Sequence, residues 1–135
     1  MKIVFDPNVL IDVACRWQDF PDSLELYNRV IQDPDHEGAV PGCGYTTLYY
    51  VLKQILPESS ARAFLSRFSQ TLGLLPFKPS TVEAASRLTM ADLEDACLAA
   101  SALEARYDVI ATRDLTGFRS SPVRAETPAR LLRRL

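Results

Sequence analysis

Lys2-Ile3-Val4-Phe5-Asp6-Pro7-Asn8-Val9-Leu10-Ile11-Asp12 opens the chain, and its reading decides the fold. Residues 2–5 form the apolar run of a short buried strand, and Asp6-Pro7-Asn8 supplies turn chemistry. Val9, Leu10, Val13 and Trp17 then recur at helical spacing. The chain therefore begins with a β-α unit. Outward from it, residues 22–31 read as a second amphipathic helix and residues 38–41 as a second strand. Leu48, Val51, Leu52 and Ile55 make an i, i+3, i+4, i+7 stripe on a third helix that Pro57 closes, and residues 58–72 make a fourth.

The second half continues the alternation. Residues 73–77 read as a third strand and residues 81–88 as a short helix. A longer helix over 92–106 carries Leu93, Ala96, Cys97, Ala100 and Leu103 inward. Residues 108–112 supply the strand that follows it, and residues 123–126 an edge strand before a terminal helix. Strands alternating with helices imply a mostly parallel central sheet covered on both faces, an α/β domain of three layers, α/β/α.

At 135 residues, 47% hydrophobic and 24% charged, the chain fits one ordinary domain over residues 1–135. Its apolar runs are far shorter than the ~20 residues needed to cross a bilayer, and no signal peptide is visible. Cys15, Cys43 and Cys97 are odd in number and widely spaced, which implies neither a disulfide framework nor a zinc site. A cytoplasmic location is expected.

Net charge is −2, against a strongly basic nucleic-acid coat. Its distribution is uneven. Residues 1–40 hold three basic and eight acidic side chains, whereas residues 113–135 hold six arginines against Asp114 and Glu126. That segment suits a polyanion, or equally a solvated helix face or a dimer rim. Tyr45, Tyr49, Tyr50 and Trp17 offer stacking faces for bases, although aromatics at helical spacing more often serve packing.

In an open parallel sheet, ligands bind beyond the carboxyl ends of the strands. Asp6 directly follows the first strand and Asp114 directly follows the strand ending at Thr112-Arg113, so parallel strands bring both carboxylates to one edge. Asp95 lies near the start of the helix leading into the second of these strands, with Asp92 three residues earlier on the same face. Each has a plain reading as a turn residue or helix cap. Together they repel unless a cation neutralises them, and an all-oxygen set suits Mg²⁺ or Mn²⁺ acting on a phosphodiester. A single histidine, His36, leaves imidazole chemistry poorly supplied.

Four stretches together resemble the PIN domain, and more narrowly the small bacterial PIN proteins related to VapC toxins. Residues 3–12 are similar to the family's opening strand and D-T-N-V-L-L-D. Asp92-Leu93-Glu94-Asp95-Ala96 with Ala99-Ala100-Ser101-Ala102-Leu103-Glu104 looks like D-F-E-D-A…A-x-A-L. Asp108 to Asp114 with Phe118 resembles D-x-I-V-T-R-N/D…F, and Pro122-Val123 with Thr127-Pro128-Ala129 echoes the closing V-x-T-P-E-E-L. The resemblance spans nearly the whole chain. It implies metal-binding acids at Asp6, Asp95 and Asp114, a bracing role for Asn8 and an orienting role for Thr112. It further implies Mg²⁺- or Mn²⁺-dependent cleavage of single-stranded RNA, a small antitoxin partner and a two-fold homodimer.

The chain departs from the family pattern twice. Thr47 stands where the family usually carries a helical Glu, so the customary fourth acid is missing, and Asp92 is the nearest replacement. Pro7 stands where a Thr is usual, which removes a hydroxyl and a backbone donor beside Asp6. The alternative to a nuclease is a catalytically weak or inactive PIN-like module that binds RNA or protein. A phosphatase or phospho-accepting domain is a further class, but the second acid of its D-x-D motif is Asn8 here. The candidate lysines for dehalogenase-like chemistry are only Lys2, Lys53 and Lys78.

Overall fold

Residues 1–135 are described by a computed structural model, in which five parallel strands run in the order β3-β2-β1-β4-β5. The strands are β1 (Lys2–Phe5), β2 (Glu37–Pro41), β3 (Gly73–Leu75), β4 (Val109–Ala111) and β5 (Ala125–Glu126). Helices α1 (Pro7–Cys15) and α2 (Pro21–Gln32) link β1 to β2, and α3 (Gly42–Ile55) and α4 (Glu58–Thr71) link β2 to β3. Helices α5 (Pro79–Ser86) and α6 (Leu93–Glu104) precede β4, and α7 (Pro128–Leu132) follows β5. Parallel neighbours need such crossovers, because a two-residue hairpin joins only antiparallel strands.

The order matters for the site. From β1 the chain steps one way to β2 and β3, then returns to lay β4 against the other side of β1. The boundary between β1 and β4 is thus a topological switch point, where loops diverge to opposite sides and leave a crevice beyond the carboxyl ends. The register there pairs Ile3 with Val109, Val4 with Ile110 and Phe5 with Ala111.

Alternation along β1 feeds two cores. Ile3 and Phe5 join Leu10, Leu26, Tyr27, Leu48, Leu52 and Phe68, while Val4 points to the opposite side with Ile110, Leu98, Ala102 and Phe118. The three-layer arrangement expected from the sequence is the observed one. In the first core, Phe5, Tyr27 and Phe68 meet edge to face, with centroids 6.3 and 5.7 Å apart. In the second, Ala99 and Ala102 of α6 lie against the sheet, while Ala96 and Ala100 turn to Ala85 of α5 in a separate small cluster.

Several local expectations need correction. Leu93 and Leu103, expected inward, are 63% and 53% exposed, because residues 96–102 alone are sandwiched by neighbouring elements and these leucines occupy the terminal turns of α6. Ile55 is exposed for the same reason at the end of α3. Periodicity identifies a helix face but not how far its neighbours cover it. Helix α1 stops at Cys15, where Arg16 takes a left-handed conformation (φ 49°, ψ 46°), so Trp17 lies outside it. Strand β3 ends at Leu75 rather than Phe77, since its partner β2 ends at Pro41 and turns directly into α3.

Gly38 on β2 marks a close approach. A Cβ there would sit 2.7 Å from Leu72 Cδ2, 2.9 Å from Val30 Cγ1 and 3.1 Å from a Phe5 ring carbon, so the missing side chain lets α2 and the end of α4 settle on the sheet. Gly38→Ala is expected to lower stability by about 1–3 kcal/mol through overpacking, read from urea unfolding midpoints. An unchanged midpoint would show that these side chains shift freely.

Candidate functional site

Asp6 leaves the end of β1 as the N-cap of α1, with its backbone N–H donating 2.9 Å to Ala111 O as a last rung of the β1–β4 ladder. Its carboxylate is buried and held by side chains from both strands' loops. Thr112 Oγ1 donates to Asp6 Oδ2 at 2.7 Å, and Asn8 Nδ2 donates to the same oxygen at 3.0 Å. Thr112 Oγ1 also accepts from the Asp114 backbone N–H at 3.0 Å, and Asn8 Oδ1 accepts from Arg113 N at 3.4 Å. One hydroxyl and one amide thus couple the turn after β1 to the turn after β4.

The other acids approach from α6 and the loop after β4. Asp92 is the N-cap of α6, accepting from Asp95 N at 2.9 Å, so its capping reading holds while it still faces the crevice. Asp114 Oδ1 accepts from Gly117 N at 3.0 Å, which turns its other oxygen inward. A Cβ on Gly117 would lie 2.5 Å from Asp114 Oδ2 and 3.2 Å from Asp95 Oδ2. Asp95 and Asp114 therefore present oxygens to one small space that only glycine leaves free.

Electrostatics report the same crowding. Burial raises the proton affinity of Asp6, the Thr112 and Asn8 hydrogen bonds oppose it, and Asp114 and Glu94 raise it further. Asp95 is pushed up to about 7, first by burial and then by Asp6, Asp92, Asp114 and Glu94. Glu94 is a residue that the reading of the motif passed over. Its Oε1 lies 3.6 Å from where a Gly44 Cβ would stand, and that position is 2.9 Å from Pro7 Cγ, so Glu94 leans across the start of α3 toward the Asp6 turn. Its place beside Asp95 in the first turn of α6 was the available signal. Thr47 is exposed one turn beyond Gly44 on α3 and brings no charge.

No three His, Cys, Asp or Glu side chains stand close enough to enclose an ion as they are. The donor chemistry nevertheless fits a hard divalent cation: the donors are carboxylate oxygens, two face one glycine-bounded space, and their surplus charge needs an opposite one. Beyond them opens a cavity of about 430 Å³, lined by Asp92, Asp95, Asp114, Thr116, Gly117 and Arg119 among others.

Residues outside this cluster have other tasks. Asp12 is fully buried, accepts from Ser23 Oγ at 2.8 Å and pairs with Arg113 Nε at 3.0 Å, while the Arg113 guanidinium stacks 4.1 Å from the Phe20 ring centroid. Arg124 and Arg134 both pair with Glu126. Half of the C-terminal arginines thus meet carboxylates of the chain itself. Tyr45 and Tyr49 pack partly on the core, and their hydroxyls donate to Leu65 O and Glu58. Tyr50 and Trp17 are exposed. No helix is long and apolar enough to cross a membrane.

A parallel α/β sheet with carboxylates gathered at its switch point defines an acid-lined site on a three-layer scaffold. A family model described as a PIN domain matches residues 2–116, and the chain belongs to that family, whose members are typically nucleases. No curated protein matches the chain. Among solved structures it is similar to VapBC2 from Rickettsia felis bound to a DNA fragment from their promoter, with TM-score 0.75, 12% identity, and 94% of this chain and 98% of that chain covered. VapBC-1 from nontypeable Haemophilus influenzae gives 0.74 and 13%, covering 96% and 99%. A toxin–antitoxin complex from Klebsiella pneumoniae gives 0.69 and 21%, covering 93% and 97%. At these identities the likeness concerns the fold.

The Asp95 shift has a direct consequence for stability. Its ordinary value is 3.8, so between 3.8 and about 7 the folded protein keeps a proton that the unfolded chain has released. Stability then falls as pH rises through that window and levels off above it. In metal-free buffer, the Tm advantage of Asp95→Asn over the wild type is expected to grow from pH 4 to pH 7 and stay constant beyond. A difference independent of pH would contradict this environment for Asp95.

Proposed function

We propose that the protein is a metal-dependent endoribonuclease that cleaves single-stranded RNA, and that it acts as the toxin of a toxin–antitoxin pair. The observation that carries the reading is the convergence of Asp6, Asp95 and Asp114 at the β1–β4 switch point, where burial and neighbouring carboxylates raise the proton affinity of Asp6 and Asp95. In this reading these three hold Mg²⁺ or Mn²⁺, with Asp92 and Glu94 adding negative charge nearby. When bound, such an ion supplies an activated water and stabilises charge on a phosphodiester under in-line attack.

The chain's own groups do the rest. Thr112 and Asn8 fix Asp6 in one orientation, and Gly117 keeps the space between Asp95 and Asp114 open. Asp95 gives up its proton as a cation arrives, so binding tightens as pH rises through about 7. The toxin role draws support from PIN-family membership and from likeness to toxin–antitoxin complexes, and its partner would be a small antitoxin protein. Exposed Tyr50 and Ile55 on α3 support a two-fold homodimer.

One observation favours a second reading. Thr47 cannot supply the charge of the usual glutamate, which suits a PIN-like module that binds RNA or protein without cutting. A single experiment separates the two. Purified protein is expected to cleave a single-stranded RNA oligonucleotide with Mg²⁺ or Mn²⁺, to stop with chelator, and to lose cleavage in Asp95→Asn. Cleavage that survives chelator or the substitution rules out the metal-site assignment, and RNA binding without cleavage at any metal concentration supports the second reading.

A further inference from the structure

Arg119 is the one basic side chain lining the acidic cavity, where it joins Asp92, Asp95 and Asp114 with the hydroxyls of Thr116 and Ser120. It makes no ion pair, in contrast to Arg113, Arg124 and Arg134 of the same segment, and its side chain is exposed. It therefore stands on the cavity wall without neutralising the acids. Its backbone is well fixed. Phe118 beside it is 4% exposed and packed in the second core, Asp114 Oδ1 accepts from Gly117 N, Arg119 N donates 3.2 Å to Thr116 O, and Ser121 N donates 3.0 Å to Phe118 O. A guanidinium on an anchored loop loses less freedom on binding than one on a mobile chain.

Charge decides what such a group can hold. When Asp92, Asp95 and Asp114 are all ionised, a divalent ion at the acids offsets most of their charge, and Arg119, paired with none of them, keeps its guanidinium free for another anion. A strand of nucleic acid then meets the ion at one phosphate and needs a second cation for the next. The planar guanidinium fork matches a phosphate's paired oxygens, and the flanking hydroxyls of Thr116 and Ser120 can donate to the same group.

Resting on the RNA-cleaving reading above, we infer that Arg119 is the phosphate anchor of the substrate strand, gripping the backbone next to the phosphodiester held at the acids. Arg130 and Arg133, outside the cavity, take no part in this grip.

The test measures binding apart from cleavage. A fluorescein-labelled single-stranded RNA 12-mer is titrated in Mg²⁺ against Asp95→Asn protein by fluorescence anisotropy, with and without Arg119→Ala, Arg119→Lys or Arg133→Ala. Arg119→Ala is expected to weaken binding about tenfold, and to reduce the slope of log affinity against log salt by about 0.7, the loss of one phosphate contact on a single strand. Arg119→Lys should keep the slope and recover part of the affinity, and Arg133→Ala should match its parent. Mn²⁺ affinity of the otherwise wild-type protein, by calorimetry, should not change with Arg119→Ala, and KM should rise more than kcat falls.

Unchanged RNA affinity in Arg119→Ala overturns the inference, as does absence of RNA binding by the Asp95→Asn parent. A shift in Mn²⁺ affinity as large as the shift in RNA affinity also overturns it, since Arg119 would then serve the acids. A protein that binds RNA through Arg119 yet never cuts it refutes the nuclease reading alone.

Discussion

Phe5 and Ala111 face each other across β1 and β4, and the hydrogen bond from Asp6 N to Ala111 O carries that pairing one residue beyond the strand. From this register follows the position of everything chemical in the molecule. Slipping β4 by one residue would turn Ile110 and Ala111 to the wrong faces and move Thr112 away from Asp6. With the register as it is, Thr112 reaches Asp6 Oδ2 at 2.7 Å and orders the Asp114 amide at the same time. The parallel topology thereby joins residues 106 positions apart in sequence.

Such a site burdens the fold that holds it. Burying Asp6 and crowding it with Asp95, Asp114 and Glu94 disfavours ionisation, which the structure offsets only in part through Thr112 and Asn8. The scaffold tolerates this because both cores lie beneath: Ile3 and Phe5 on one face of β1, Val4 and Ile110 on the other. Helix α6, built of small residues along its buried stretch, brings Asp92, Glu94 and Asp95 to the crevice as its N-terminal turn.

A second buried charge steadies the edge without entering it. Asp12 lies one turn into α1 from Asn8, holds Ser23 on α2 and pairs with Arg113, whose neighbour is Asp114. Helices α1 and α2 are thus tied to the loop that carries a site acid, and losing the partly exposed Arg113 would leave the buried Asp12 carboxylate without its counter-charge. Asp12 and Asp6 have the same side chain six positions apart, yet one meets a guanidinium inside the protein and the other meets only carboxylates, amides and hydroxyls. Their surroundings, not their type, separate structural from chemical use.

What the sequence by itself determined was the alternation of elements, the β-α-β frame and the acids that end its strands, because period and turn chemistry are local properties written in Ile3-Val4-Phe5-Asp6-Pro7-Asn8 and in Asp108 to Asp114. The resemblance to the family pattern, rather than the residues alone, marked Thr47 as a missing charge. Only the tertiary structure decided which side chains share the crevice. Glu94 reads as an ordinary first-turn acid until Gly44 of another helix is seen to leave it room, and Arg119 reads as one of six arginines until five are found to be elsewhere or paired. Leu93 and Leu103 fit the helical period yet stay exposed, since burial depends on what packs against a face. Distances across the β1–β4 switch point are set by strand order and register, which arise from pairing between distant segments.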